Sequence, residues 1–139
     1  MPTSAALLDP ILAAVIAHPA GWSEGALRAV FLDRRSRVLL TVGFDEGTRA
    51  VDELYLRHVV ATVSDLSVAT VVFAVLRADG RPIRIDRLLW RELSMRLAGQ
   101  PTHPLDLIVV GREQHWSMAQ STPLTSVVAR WPDRTAPSG

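Results

Sequence analysis

The groups in this chain that could do chemistry are four histidines, 14 carboxylates and 15 basic residues, with no cysteine among its 139 residues. Without cysteine there are no disulfides, no thiolate metal sites and no cysteine nucleophile. The histidines are His18, His58, His103 and His115. None stands at H-x-H or H-x-x-x-H spacing from another, the spacings that turn two imidazoles toward one ion. His58 reads as a helix-face residue that packs or solvates, and His115, beside Trp116, as a turn or surface residue. No serine sits in a G-x-S-x-G elbow, and no glycine-rich run could cradle a phosphate. Gly43, Gly47 and Gly80 are isolated turn glycines. Every basic residue is arginine, the usage of a GC-rich genome. The chain therefore has no lysine for Schiff-base chemistry or for accepting an isopeptide bond.

The arginines carry the strongest local signal. Arg77, Arg81, Arg84, Arg87 and Arg91 crowd one loop and the start of one helix. Arg84, Arg87 and Arg91 share a helical face if that helix starts early. Such a cluster can bind an anion or a nucleic-acid backbone. It can equally be a solvated face with carboxylate partners at Asp79, Asp86 and Glu92. Of the four tryptophans, Trp90 reads as core, while Trp22, Trp116 and Trp131 lie near turns or ends. An exposed pair among them would mark a dimer or partner surface.

These groups must be positioned by one domain of ordinary size. At 48% hydrophobic and 21% charged residues the chain can bury a real core. A net charge of +1 gives no compositional reason to expect a nucleic-acid or membrane-surface partner. No apolar run is long enough to span a bilayer, and Met1 to Ser4 lack a basic leader, so the cytoplasm is the default compartment. Leu7, Leu8, Ile11, Leu12, Val15 and Ile16 predict a helix over 4–18, capped by Ser4 and bent or delayed by Pro10. Residues 27–33 and 37–43 read as strands joined by a polar hairpin connection, and 45–48 as a loop. A helix follows from 51 to about 65, with Asp52 and Glu53 in its first turn. Val68 to Leu76 is a central strand buried on both faces, and 77–82 a loop. Asp86 precedes an amphipathic helix ending at Gly99. Strands at 105–111 and 115–118 follow, then an apolar stretch from Leu124 to Trp131 and a frayed tail. The order predicts an α/β fold: a three-layer-like sandwich with a mixed central sheet flanked by helices. A single domain spans 1–122, with its core at 23–120, and 123–139 form a partly disordered extension.

Several short segments along this frame resemble the RadC-like branch of the JAB/MPN (JAMM) family, over roughly Ser23 to Gln120. Val30-Phe31-Leu32-Asp33 with Arg37-Val38 resembles its V-L-F-L-D-x-x-x-R-V hairpin. Gly47-Thr48 falls at its R-G-T turn, and Tyr55 to Val59 at its H-P-R-E-V helix start. Val71 to Ala74 matches the strand leading into the metal site. Leu105-Asp106-Leu107-Ile108-Val109-Val110-Gly111 resembles L-D-H-L-I-V-G, and Trp116-Ser117-Met118 resembles V-S-L.

The resemblance implies a zinc-dependent peptidase or isopeptidase fold, yet its metal motif H-N-H-P-S-G is replaced by Val75-Leu76-Arg77-Ala78-Asp79-Gly80. The two ligand histidines fall on Val75 and Arg77. Valine has no lone pair, and arginine keeps its positive charge. Asp86 can fill the place of the third ligand, after a loop shortened by about two residues, and Glu24 lies near the catalytic glutamate. Catalytic zinc needs three protein ligands and an open position, so no metal and no cofactor is expected, and Asp86 is expected to pair with Arg77. The implied function is that of an inactive JAB/MPN pseudoenzyme acting as a protein-binding or scaffold module, with a protein partner or homodimer. Its contact surface would include the loop at 77–83 and residues 124–131. Two alternatives remain open. One is a displaced zinc site built from Glu24, Asp86 and His103. The other is nucleic-acid binding through Arg77, Arg81, Arg84, Arg87 and Arg91, beside Trp116, in line with the DNA-repair association of RadC-like proteins.

Overall fold

The computed structural model describes residues 3–44, 52–126 and Trp131. The expected loop at 45–48, with its Gly47-Thr48 turn, and the tail from 132 onward lie outside the described residues, as do 127–130. In chain order the elements are α1 (Ser4–Ala17), β1 (Leu27–Leu32), β2 (Val38–Phe44), α2 (Glu53–Leu66), β3 (Thr70–Leu76), α3 (Arg84–Leu97), β4 (His103–Val110), β5 (His115–Ser117) and β6 (Thr122–Leu124). The strands form one sheet in the order β2-β1-β3-β4-β5-β6. Only β3 and β4 run parallel, and α3 makes the crossover between them that a parallel pair requires. The sheet is therefore mixed, as the sequence order predicts.

Strand alternation sorts the core into two layers. Ala29, Phe31, Phe73, Val75, Leu107 and Val109 face α2 and α3, meeting Leu56, Val59, Leu89 and Leu93. Val30, Val72, Ala74, Ile108 and Val110 face the other way, against Leu8, Ile11, Leu12 and Val15 of α1. β3 is buried on both faces from Val71 to Leu76, which explains its unbroken apolar run. The two helices on one face are joined at the surface by Arg96, which donates to Glu53 at 2.7 and 2.9 Å. Among the described residues no helix is long and apolar enough to cross a membrane.

Several boundaries differ from expectation for local reasons. Thr3, not Ser4, caps α1, its Oγ1 accepting from the Ala6 amide at 3.3 Å. The helix starts ahead of Pro10 and carries that residue in its interior. Four of its residues, Leu8, Ile11, Leu12 and Val15, are buried in the core, and this packing outweighs the lost amide donor. Asp52 caps α2 through the Tyr55 amide at 2.8 Å. α3 starts two residues before Asp86, because Asp86 accepts from the Ile83 amide at 3.0 Å and so serves as an N3 cap. β4 starts at His103, so His103 is a strand residue rather than a loop residue. The expected extension from 123 onward begins inside a short edge strand at 122–124, where Pro123 is tolerated.

Candidate functional site

β3 and β4 deliver the chain to one end of the sheet, where two loops meet. Leu76 pairs with Val110 in the parallel ladder, and the Arg77 amide donates to the Val110 carbonyl at 3.1 Å. The loop 77–83 then turns back into α3. Its fit against the 111–114 turn is tight enough to require glycine on both sides. Gly80 has φ +68°, and a Cβ there would lie 2.0 Å from the Gln114 carbonyl oxygen. A Cβ on Gly111 would lie 2.5 Å from the Gly80 Cα. The Gln114 amide nitrogen donates to the Asp79 carbonyl at 2.7 Å, and the Arg112 amide to the Ala78 carbonyl at 3.3 Å. The two loops therefore form one fixed wall.

Of the four positions singled out by sequence, two meet beside that wall and a third is tied to its loop. Arg77 donates twice to Asp86, from Nε to Oδ2 at 3.1 Å and from Nη2 to Oδ1 at 2.8 Å. The Asp86 side chain is fully buried, and that of Arg77 is 11% exposed. This fork is the strongest geometry available to an arginine–carboxylate pair. Glu24, on the exposed segment before β1, accepts from the Ala78 amide at 3.0 Å and ties that segment to the loop. Val75 lies apart from them in the core between the sheet and α2/α3, with no solvent exposure. His103 does not join them: it pairs with Thr70 at the far end of β4, roughly 20 Å along the strand from Arg77. The geometry thus contradicts the displaced set of Glu24, Asp86 and His103. Among the described residues no three His, Asp or Glu side chains gather as a metal site would need.

The remaining arginines are exposed, as a solvated face requires, but they do not pair with the carboxylates expected beside them. Arg84, Arg87 and Arg91 share the exposed face of α3, and Arg81 is exposed on the loop before it. Their expected partners are engaged elsewhere. Asp86 holds Arg77, Glu92 holds Arg96 at 3.2 Å, and Asp79 accepts from the Arg81 backbone amide at 3.0 Å. Among the described residues none of these four guanidiniums makes an ion pair. Beside them lies a cleft of about 380 Å³ whose lining includes Arg81, Pro82, Arg87, Gln114, Trp116 and Pro123.

The surface reading of His115 needs correction, and the tryptophans find their places. His115 is buried on β5, at 4% exposure, and its Nδ1 accepts from the Gly111 amide at 3.2 Å. The neutral ring therefore carries its proton on Nε2. Burial pushes its pKa below the usual 6.5. A depressed histidine contributes stability that is complete above the unfolded value and is lost as pH falls through the folded one. Replacement by Asn (His115→Asn) should accordingly flatten the decline in melting temperature on going from pH 7 to pH 5, a comparison that scanning calorimetry makes directly. Trp22 and Trp131 are not an exposed pair: both are half-buried, edge to face at 5.1 Å, with the Arg112 guanidinium 4.6 Å from the centre of the Trp22 ring.

Two structural polar residues gave no separate signal in the sequence. Arg28 is buried in β1 and donates to the Val15 carbonyl at 2.8 Å and to the Gly21 carbonyl, closing the end of α1. Asp106 is buried in β4 and accepts from Ser117 Oγ at 2.6 Å and the Ala119 amide at 2.8 Å, fixing the turn between β5 and β6. Asp106 and Ser117 are letters of two separate motifs quoted above, and they touch. So do Asp33 and Arg37 of the hairpin motif, 3.0 Å apart.

No family model matches the chain. It is 32% identical over 94 residues to a UPF0758 protein of Nitrosospira multiformis, a match that takes in 66% of this chain and 42% of that protein. The chain thus aligns with less than half the length of this curated relative.

Proposed function

We propose that the chain is a RadC-like JAB/MPN module that has lost hydrolytic chemistry and acts by binding a protein. One observation carries this reading: the buried fork between Arg77 and Asp86 lies where the resemblance places a metal ion. The residues present do not fit zinc. Val75 offers no donor atom, and Arg77 sets a permanent positive charge 2.8 Å from the remaining carboxylate. Both Asp86 oxygens accept hydrogen bonds, one from Arg77 alone and the other from Arg77 and the Ile83 amide. Glu24 spends an oxygen on the Ala78 amide, so it ties down a loop rather than standing ready as a base. The UPF0758 relative and the two touching pairs of motif residues support the family half of the reading. The frame is kept while the site is filled, which suits a binding role better than a catalytic one.

The test is hydrolysis of an isopeptide-linked ubiquitin chain and of a casein digest, with zinc added. The expected result is no turnover above blank. Turnover that a chelator abolishes and that Glu24→Gln removes would overturn the reading in favour of a metalloenzyme.

A further inference from the structure

Beside the filled site, four exposed guanidiniums and a cleft lie together without a carboxylate partner among the described residues. Of the carboxylates nearest in sequence, Asp86 and Glu92 pair with Arg77 and Arg96, and Asp79 accepts from the Arg81 backbone amide rather than from a guanidinium. The cleft wall is fixed in advance by the Gly80–Gly111 contact and the Gln114–Asp79 hydrogen bond, so little ordering is lost when something binds there. Trp116, half-buried in its lining, holds an Nε1–H that is shielded from water and meets no acceptor among the described residues. A volume of about 380 Å³ suits a few side chains rather than a folded surface.

The neighbours of the arginines decide which anion fits. Leu88 and Met95 stand on the same exposed face of α3 as Arg84 and Arg91, and Ile83 precedes it; they are 40%, 61% and 44% exposed. A phosphate backbone has no use for apolar side chains set between its cationic contacts. Arginine mixed with methionine and an aromatic ring is the composition of a protein interface. The net charge of +1 also lacks the broad positive field of a nucleic-acid binder.

We propose that the cleft and the adjoining outward face of α3 bind an acidic peptide segment of a partner protein, its carboxylates on Arg81 and Arg87 and an apolar side chain against Trp116. Arg84, Leu88, Arg91 and Met95 extend the contact along the helix, 84 to 95 covering about 16 Å at the helical rise. This proposal rests on the protein-binding reading and adds the chemistry of the partner to it.

The probe is a short fluorescein-labelled peptide alternating glutamate with leucine, titrated with the full chain and read by anisotropy. Its glutamine counterpart and a labelled oligothymidylate serve as comparisons. The glutamate peptide should bind, and more weakly as salt rises. Exchanging glutamate for glutamine, or combining Arg81→Ala with Arg87→Ala, should weaken it by about tenfold or more, the scale of losing a charge-assisted fork. Arg34→Ala with Arg35→Ala, two exposed arginines of the hairpin connection, should leave binding unchanged. Because Arg81 and Arg87 are exposed, the melting temperature should hold, which separates lost binding from lost folding. Absence of peptide binding, indifference to Arg81 and Arg87, or tighter binding of the oligothymidylate would overturn the proposal. Those failures would leave the loss of hydrolytic chemistry standing, whereas chelator-sensitive hydrolysis would remove the reading on which the proposal rests.

Discussion

Replacing Asp86 with alanine should cost this protein about 3–5 kcal/mol of stability, roughly 10–17 °C in melting temperature for a chain of this length. The magnitude follows from what the substitution leaves behind. Arg77 is only 11% exposed, and its guanidinium is aligned on Asp86 by two hydrogen bonds. Without the carboxylate, a buried positive charge loses the two hydrogen bonds that Asp86 accepts from it, and the Ile83 amide loses its acceptor at the start of α3. Both effects act in the same direction. The pair itself is a different matter from either half. Two charges taken out of water cost nearly as much as their attraction returns, so Arg77→Met combined with Asp86→Leu should recover most of the loss and fall about 1–2 kcal/mol short of wild type, the value of the missing cap. Denaturant melts of Arg77→Met, Asp86→Leu and the double variant give the coupling directly. If the single and double variants were equally destabilised, the fork would have no energetic role.

Gly80→Ala is the second large effect, expected at about 2–4 kcal/mol. Part of this is the cost of a left-handed backbone for a residue with a Cβ, about 1–2 kcal/mol. The rest is the shift forced on the 111–114 turn, because the new methyl would lie 2.0 Å from the Gln114 carbonyl oxygen, a backbone atom that cannot rotate away. The same shift would part the wall of the cleft. Gly80→Ala should therefore lower the melting temperature and weaken the glutamate peptide together, whereas Arg81→Ala with Arg87→Ala should weaken the peptide alone. Gly21 provides the control: its φ is +67° but nothing lies within 4 Å of a Cβ there, so only the backbone cost should appear.

Where the sequence was legible, one physical rule dominated locally. The run from Val68 to Leu76 read as a strand covered on both faces, and β3 is so covered from Val71 to Leu76, starting two residues late at Thr70. The pairing of Arg77 with Asp86 was readable because the resemblance set both at one site, where a fixed charge needs an opposite one nearby. Legibility failed where a long-range contact decided the outcome. The strand beginning at His115 was expected, but the burial of its side chain against the Gly111 amide was not. Thr122 to Leu124 pair with β5 although Pro123 argues for a loop, because the edge position spares the missing amide. His103 looked close to the site in sequence, yet the parallel ladder sends it to the opposite end of β4. The arginine cluster was visible from spacing, but its lack of partners was not, since that depended on which carboxylates Arg77 and Arg96 had already taken.

The central claim is that an ion pair stands in place of a metal, and zinc stoichiometry tests it most directly. The protein is saturated with zinc, passed through a desalting column and measured by elemental analysis beside Asp86→Ala. Retention below about 0.1 zinc per chain in both is the predicted result, since one carboxylate held by an arginine falls short of the three ligands zinc needs. Close to one zinc per chain, lost on Asp86→Ala, would contradict it.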